Sequence, residues 1–230
     1  RSLAFWLSQK IDVSLNHPNE EVRKSADDLV SLITPVIKSF FTDMGSEITN
    51  EAIQIFGGYG YTKDQGIEQL YRDNRITPIY EGTNSVQAID LVFRKVLNNK
   101  ILSDFITIMR NEIKDENGKP ELKEFSKSMD NNIKILEEFA KWLEDKNKDK
   151  KDDVSSACND FLKVLGYISL GYSWFKITKV SLDKLNSNKN FYLEKINTAK
   201  FYYDKIMPRI EAHYKSAKTG SDNIMKARFN

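Results

Sequence analysis

Apolar residues recur at helical spacing along most of this sequence. One such face shows intervals of three and four residues throughout, and it consists of Leu122, Phe125, Met129, Ile133, Leu136, Ala140 and Leu143. The same rhythm, typical of a helix packed in a bundle, recurs over residues 3–15, 36–56, 154–175 and 192–213. No stretch alternates between apolar and polar residues for long enough to indicate a β-strand. The pattern therefore predicts an all-α protein.

Residues that begin and end helices divide the first part of this pattern. Asn19 is expected to cap a helix that opens with Glu20 and Glu21. Pro35 either kinks this helix or begins a new one, because proline is unfavourable inside a helix and favourable in its first turn. The glycine pair Gly57–Gly58 is expected to end the helix, since glycine readily adopts the left-handed conformation found there.

The middle of the chain contains further boundary signals. A short helix is predicted at about residues 66–74, and Asn84 or Ser85 is expected to cap a helix that reaches about Glu112. The run of turn-forming residues at 115–120 predicts a turn that ends it.

The last hundred residues are also predicted to be helical. The charged stretch 146–153 lacks apolar residues and is expected to form a mobile linker. Gly166 and Gly171 indicate either a close approach of two helices or a weak point in one helix. The aromatic residues between 161 and 203 have helical spacing and are expected to lie in the core. Pro208 is expected to kink the last long helix.

Composition and charge exclude several classes of function. The 35 basic residues are interleaved with 33 acidic ones, so no basic stripe for nucleic acid is expected. No apolar run approaches the roughly 20 residues of a membrane helix, and no signal peptide is recognised. The single cysteine, Cys158, allows no intrachain disulfide and is expected to be a small buried hydrophobe. His17 and His213 have no ligand partner one turn away and are expected at the surface or at caps, so no metal site is predicted. We expect a cytoplasmic protein.

Candidate chemistry is concentrated between residues 54 and 87. This glycine-rich segment contains Glu81, which lies between an aromatic residue and a glycine just before a predicted helix. Taken alone, such a carboxylate indicates an acid that stabilises a helix N-terminus. Arg72, Asp73 and Arg75 are expected to form an ion-pair cluster that positions the Glu81 turn, with a direct contact to substrate as the alternative.

Several short motifs in this segment occur together in a fixed order. They are Gln54–Gly58 with Tyr59–Tyr61, then Arg72–Asp73, then Ile79–Thr83, and Glu81 follows Gly58 by 23 positions. In this order and spacing they resemble the C-terminal signature of the acyl-CoA dehydrogenases, flavoproteins that introduce an α,β double bond into acyl thioesters. The chain opens without methionine, inside an amphipathic pattern, and is expected to be part of a longer protein.

The resemblance implies a role for each site residue. Glu81 would be the catalytic base, and the backbone of Gly82 would contact the substrate. A carboxylate acts as such a base only when it is held beside the α-carbon and shielded from water. Residues that would contact FAD from a neighbouring subunit are Gln54, Ile55, Phe56, Gly57 and Gly58. Further FAD contacts would come from Thr83, Asn84 and Ser85, although many family members have a small residue and then glutamine at the last two positions.

The resemblance also implies a domain organisation and partners. Residues 1–115 would form the helical-bundle domain and residues 120–230 an additional helical domain. This additional domain occurs in the larger bacterial members, a group that includes the 3-methylmercaptopropionyl-CoA dehydrogenases. An acyl-CoA would be the substrate and an electron-transfer flavoprotein the electron acceptor, in a homodimer or tetramer. The chain lacks the family's N-terminal helical domain and β-barrel, so residues 1–230 alone are expected to fold without turning over substrate.

Two other hypotheses are compatible with the sequence. The chain could belong to a relative that kept the fold, lost the oxidation reaction and serves as a binding or regulatory protein. It could also be a helical interaction module without any flavin in the parent protein.

Overall fold

The computed structural model describes residues 1–98, 100–114 and 119–228, and it contains no β-strand among them. The all-α prediction is therefore confirmed for this part of the chain. The α-helices are α1 Ser2–Asn16, α2 Glu20–Phe56, α3 Ile67–Arg75, α4 Asn84–Asp90, α5 Ile101–Lys114, α6 Lys123–Asp149, α7 Lys151–Asp183, α8 Lys189–Phe201, α9 Arg209–Ala217 and α10 Asp222–Lys226. Short 3₁₀ segments cover Gly57–Tyr61, Lys63–Gln65 and Pro120–Leu122, and π-helical segments cover Leu91–Val96 and Tyr202–Ile206.

Helix α2 is the element to which the site is attached. Its 37 residues extend over about 55 Å at the usual rise per residue. The predicted cap is confirmed, because the Asn19 Oδ1 accepts hydrogen bonds from the backbone N–H groups of Glu21 at 2.8 Å and Val22 at 3.3 Å. Gly57 ends the helix at φ +60°, as predicted.

Pro35 lies inside α2 without ending it, so the alternative in which a new helix begins there is wrong. A proline inside a helix removes one backbone hydrogen bond. Here the ring of Pro35 is buried, and Leu32, Ile33 and Val36 beside it are fully buried in the core. Packing of this turn therefore outweighs the lost hydrogen bond.

The helix predicted from Asn84 to about Glu112 is divided in two, which corrects the sequence reading. Helix α4 ends at Asp90 and continues as a π turn, in which the N–H of Leu97 bonds to the carbonyl of Val92 at 2.9 Å. Glu112 belongs to α5, which begins at Ile101. The wider turn buries Leu91, Val92 and Val96, and apolar spacing alone does not distinguish it from an α-helix.

The prediction of a mobile linker at residues 146–153 is also wrong. Helix α6 continues to Asp149 and α7 begins at Lys151, so only Lys150 separates them. Asp153 is buried, and its Oδ1 accepts hydrogen bonds from the backbone N–H and the hydroxyl of Ser221, at 2.9 and 2.7 Å. Its other oxygen lies 3.3 Å from the Lys146 ammonium group. These contacts hold the charged stretch 146–153 in place, although its composition alone predicts a solvent-exposed segment.

The helix that was expected to be kinked at Pro208 is instead interrupted there. Helix α8 gives way to the π segment Tyr202–Ile206, and α9 begins directly after the proline, at Arg209. Tyr202 and Tyr203 are buried here, and their hydroxyls donate to the carbonyls of Tyr167 and Gly171, both at 2.8 Å. Of the aromatic residues expected in the core, Phe161, Tyr167, Tyr172, Phe175, Tyr202 and Tyr203 are buried. The expectation is wrong for Phe191 and Phe201, which are exposed on α8.

One apolar core joins the helices on both sides of residues 115–118, from Leu3 in α1 to Ala217 in α9. Residues 115–118 of the turn predicted at 115–120 lie outside the described residues, and Pro120 begins a 3₁₀ segment. The division of the chain into domains 1–115 and 120–230 stays a prediction. In the described part of the chain, no helix is both long and apolar enough to cross a membrane.

Candidate active site

The turn that carries Glu81 has an unusual backbone. Among the described residues, Glu81 is the only non-glycine residue with a positive φ, at 55°, and Gly82 follows at 86°. A left-handed conformation costs a residue with a β-carbon about 1–2 kcal/mol, whereas glycine adopts it freely. Both residues are exposed. Glycine at position 82 therefore adopts this conformation without the cost that Glu81 bears.

Hydrogen bonds within the segment define the shape of this turn. The backbone N–H groups of Ile79 and Tyr80 donate to the carbonyl of Ile76, and the N–H of Asn84 donates to the carbonyl of Pro78, at 3.0–3.1 Å. The amide of Gln87 donates to the carbonyl of Glu81 at 3.0 Å. The turn is thus closed by bonds on both sides of the carboxylate.

Thr83 caps the helix that follows, so the predicted cap at Asn84 or Ser85 is wrong. The Thr83 Oγ1 accepts a hydrogen bond from the N–H of Val86 at 3.4 Å, and Asn84 is already the first residue of α4. Thr83 has φ −58° and ψ 158°, a non-helical backbone of the kind that a cap requires.

The Asn84 side chain points back to α2 instead. Its Nδ2 donates to the carbonyl of Ser39 at 3.1 Å and to the Asp43 carboxylate at 2.7 Å. Its Oδ1 accepts from the Lys38 ammonium group at 2.9 Å. Both polar atoms of the side chain are therefore engaged within the chain.

Lys38 is a site residue that the sequence analysis missed. Besides Asn84, its Nζ donates to the carbonyl of Gly82 at 2.6 Å, and its side chain is half-buried. The two bonds attach both sides of Thr83 to α2. No local pattern marks this lysine, because it precedes its partners by more than forty residues.

The ion-pair cluster expected of Arg72, Asp73 and Arg75 is not formed among the described residues. Arg72 pairs with Glu68 one turn earlier in α3, at 3.0 Å, and its side chain is largely exposed. Asn74, which lies between Asp73 and Arg75, makes the contact to α2. Its Nδ2 donates to the carbonyl of Thr42 at 3.2 Å and to the Ser46 hydroxyl at 2.7 Å. The side-chain amide of Asn74, and not an ion pair of the arginines with Asp73, therefore joins α3 to α2.

The residues at the end of α2 form a separate exposed region. Gln54, Ile55 and Phe56 are exposed, Ile55 to 83%. A β-carbon added at Gly57 or Gly58 would meet no atom within 4 Å, so the backbone of the pair is open to an incoming group. Phe56 follows Lys38 by 18 positions on one continuous helix, which corresponds to about 27 Å. The glycine pair and the Glu81 turn of one chain are therefore far apart.

Many large apolar side chains around both regions are exposed. They are Ile48, Ile55, Phe56, Tyr59, Tyr61, Leu70, Tyr71, Ile76, Ile79, Tyr80, Val86 and Ile89. So many exposed apolar residues in one segment mark an interaction surface. We call this set the apolar site surface.

The other reactive side chains lie outside this surface. Cys158 is buried in α7, and burial raises the pKa of its thiol to about 12, so it is the buried hydrophobe that was expected. His17 follows α1, and its Nδ1 accepts a hydrogen bond from the N–H of Asn19. His213 is not at a cap: its Nδ1 lies 2.7 Å from Asp160 and its ring stacks on Tyr167. Among the described residues, no three His, Cys, Asp or Glu side chains come together as a metal site would require.

Comparison with known protein families gives two matches. Residues 105–228, just over half of the chain, match the family described as "Acetyl-CoA dehydrogenase C-terminal like". Residues 20–96, which include α2 and the Glu81 turn, match "Acyl-CoA dehydrogenase, C-terminal domain".

Curated relatives have related names. The 3-methylmercaptopropionyl-CoA dehydrogenase of Ruegeria pomeroyi is 40% identical over 99 residues, which are 43% of this chain and 17% of that protein. The butyryl-CoA dehydrogenase of Syntrophomonas wolfei is 27% identical over 238 residues, which cover 99% of this chain and 37% of that protein. The chain thus spans less than two fifths of the length of either relative.

Solved structures share the fold. Caenorhabditis elegans ACDH-11 in complex with C11-CoA matches 98% of this chain and 38% of its own, with a TM-score of 0.71 and 20% identity. An acyl-CoA dehydrogenase from Bacillus anthracis complexed with FAD matches 94% of this chain and 40% of its own, with a TM-score of 0.61 and 18% identity. With family matches on both sides of residue 100 and the same helical fold throughout, this chain belongs to the acyl-CoA dehydrogenase family.

Proposed function

We propose that this chain supplies the catalytic base and part of the flavin site of a FAD-dependent acyl-CoA dehydrogenase. The observation that carries the proposal is the Glu81 turn, which holds an exposed carboxylate on a left-handed backbone that is attached to α2. Strained non-glycine residues are concentrated at functional sites, because the surrounding structure must hold them in place. A glutamate that only stabilises a helix N-terminus does not require this conformation.

Glu81 is proposed to act on the α-carbon of an acyl thioester. Its carboxylate takes the α-proton, and the electron pair of that C–H bond becomes the second bond between Cα and Cβ as hydride leaves Cβ. When bound, FAD supplies the acceptor for this hydride. The product is the 2,3-enoyl thioester, and the backbone of Gly82 next to the base is proposed to contact the substrate.

The residues at the end of α2 fit the FAD role assigned to Gln54, Ile55, Phe56, Gly57 and Gly58. The open backbone of the glycine pair lets a phosphate or ribose approach within hydrogen-bonding distance. Because about 27 Å of helix separate Phe56 from Lys38, one chain does not present both regions to one reacting centre. We infer that residues 54–58 complete the site of a second subunit, in a homodimer or tetramer.

Thr83, Asn84 and Ser85 differ in how well they fit the second set of proposed FAD contacts. Thr83 and Ser85 are exposed and accessible to a cofactor. Asn84 uses both polar side-chain atoms within the chain, so any contact that it makes to FAD comes from its backbone.

Glu81 needs a less watery environment than it has in the chain alone, since an efficient base must be shielded from solvent. We propose that the missing cover comes from parts of the enzyme outside this chain, packed on the apolar site surface. We therefore expect the 230-residue chain by itself not to oxidise acyl-CoA. Electrons would leave the complete enzyme to an electron-transfer flavoprotein, and the names of the relatives favour short-chain or 3-methylthiopropionyl thioesters as substrates.

The proposal is tested by mixing the full-length enzyme anaerobically with a panel of acyl-CoA thioesters and following the flavin absorbance. We expect one class of thioester to bleach the flavin, and Glu81→Gln to abolish bleaching while FAD stays bound. Glu194→Gln, an exposed glutamate on α8, serves as the matched control and should behave like the unsubstituted enzyme.

Each other outcome has a defined meaning. Bleaching that survives Glu81→Gln would place the base elsewhere. A flavoprotein that no acyl-CoA bleaches would favour a binding protein that kept the fold and lost the reaction. A full-length protein without flavin would favour a helical interaction module.

A further inference from the structure

The Glu81 turn does not hold its conformation by local bonds alone. Glu81 at φ +55° is disfavoured for a residue with a β-carbon, and both Glu81 and Gly82 are exposed. Little packing therefore restrains the turn from the solvent side. Besides the local hydrogen bonds that close the turn, a further restraint acts from α2.

Lys38 provides this restraint with two short hydrogen bonds. Its Nζ lies 2.6 Å from the Gly82 carbonyl, in the residue directly after the proposed base, and 2.9 Å from the Asn84 Oδ1. Bonds from a charged donor are about twice as strong as neutral ones. Lys38 itself is held on a continuous helix whose next residues, Ser39 and Phe40, are buried.

Asn84 completes the attachment from the side of α4. Its Nδ2 donates to Asp43 at 2.7 Å and to the Ser39 carbonyl at 3.1 Å, so the amide is fixed in one orientation. The Asp43 carboxylate lies 4.0 Å from Lys163 of α7. The Asn159 amide of the same helix donates to the Ser85 hydroxyl at 3.3 Å. Helix α7 therefore contacts this polar network at Asp43 and also contacts Ser85, the residue after Asn84.

We propose that Lys38 is a positioning residue for the reaction, which holds the Glu81 carboxylate in its working orientation through the Gly82 carbonyl and Asn84. The inference rests on the proposed function of Glu81. In this proposal Lys38 acts through the turn and not on the substrate, because its ammonium group is bonded to Gly82 and Asn84. Its effect is on where the base lies relative to the α-carbon.

The experiment uses the full-length enzyme with Lys38→Met, Lys38→Arg and, as a matched control, Lys24→Met at an exposed position of the same helix. The readouts are FAD content, thermal stability, KM for the acyl-CoA, the rate of flavin reduction and the rate of α-proton exchange with deuterated water. Misplacement of a catalytic group by about 1 Å lowers rates on the order of 100-fold. For Lys38→Met we expect reduction and exchange to slow by roughly 10- to 100-fold, with FAD content and thermal stability little changed.

The conservative variant separates positioning from simple stability. Lys38→Arg retains a charged donor, so it should recover much of the lost rate, and Lys24→Met should match the unsubstituted enzyme. Unchanged rates in Lys38→Met would overturn the inference. So would a variant that loses FAD, substrate affinity and thermal stability together, because that result describes a purely structural lysine.

The inference and the proposed function fail in different ways. Bleaching that persists in Glu81→Gln, or that no acyl-CoA causes in the unsubstituted enzyme, contradicts the proposed function. An inactive Glu81→Gln combined with a fully active Lys38→Met contradicts only the role of Lys38.

Discussion

The ring of Phe40 in α2 lies directly on the Cα of Gly166 in α7. A β-carbon at Gly166 would be 2.5 Å from Cδ2 of this ring, much closer than real contacts allow. The same ring meets Tyr167 edge to face, with centroids 4.8 Å apart. The sequence left open whether Gly166 indicates a close approach of two helices or a weak point in one helix. The contact with Phe40 confirms the close approach. It joins α7 to the part of α2 that carries Lys38.

Substitution of this glycine should loosen the contact. For Gly166→Ala we expect a loss of about 1–3 kcal/mol in the free energy of unfolding, because Phe40 is fully buried and cannot move aside without strain. Gly58→Ala is the control, since a β-carbon there meets no atom within 4 Å. Chemical denaturation of the three proteins measures the difference. Equal stability of the two variants would show that Phe40 repacks without cost.

The Tyr203 hydroxyl should contribute a buried hydrogen bond. It donates to the Gly171 carbonyl at 2.8 Å, and burial raises the pKa of this tyrosine well above its usual range. We expect Tyr203→Phe to lower the free energy of unfolding by about 0.5–1.5 kcal/mol. Tyr61→Phe, at a side chain that is 81% exposed, should change it little. A Tyr203→Phe protein as stable as the original would mean that the bond contributes nothing net.

Asp153 should make stability depend on pH in the acid range. Hydrogen bonds from Ser221, with a smaller contribution from Lys146, hold the pKa of its carboxyl below the ordinary value of 3.8. Its folded pKa is depressed, so its stabilising contribution is fully present above the unfolded pKa. The contribution is lost as the pH falls from there through the folded pKa.

The corresponding variant is Asp153→Asn, with Asp152→Asn at the exposed neighbouring position as control. Denaturation curves between pH 7 and pH 3 should show a lower stability for Asp153→Asn at neutral pH and a smaller decline in acid. The control should follow the original protein. An unaltered acid profile in Asp153→Asn would assign the decline to other carboxylates.

Cys158 should be chemically silent in the folded protein. Its side chain is 1% exposed, and burial raises the pKa of the thiol to about 12, so almost no reactive thiolate exists at neutral pH. We expect iodoacetamide to leave the folded chain unmodified and to add one carbamidomethyl group after denaturation, as measured by mass spectrometry. Rapid modification of the folded chain would indicate that α7 opens locally.

Several features of this protein were determined by the sequence alone. The all-α class, the Asn19 cap and the helix end at Gly57 each depend on residues within one or two turns of chain. Helical spacing, capping and the backbone freedom of glycine act at this range, so a local pattern is sufficient to predict them. The order and spacing of the motifs between Gln54 and Thr83 also indicated the family from the sequence alone.

Other features were decided only by the tertiary structure. Helix α2 continues through Pro35 because the surrounding turn is buried, and the stretch predicted to be mobile is held by the bonds of Asp153 to Ser221, 68 residues away. The Lys38 contacts to Gly82 and Asn84 likewise cross more than forty residues. Which polar side chains meet over such separations depends on how the helices pack, and no spacing along the chain records it.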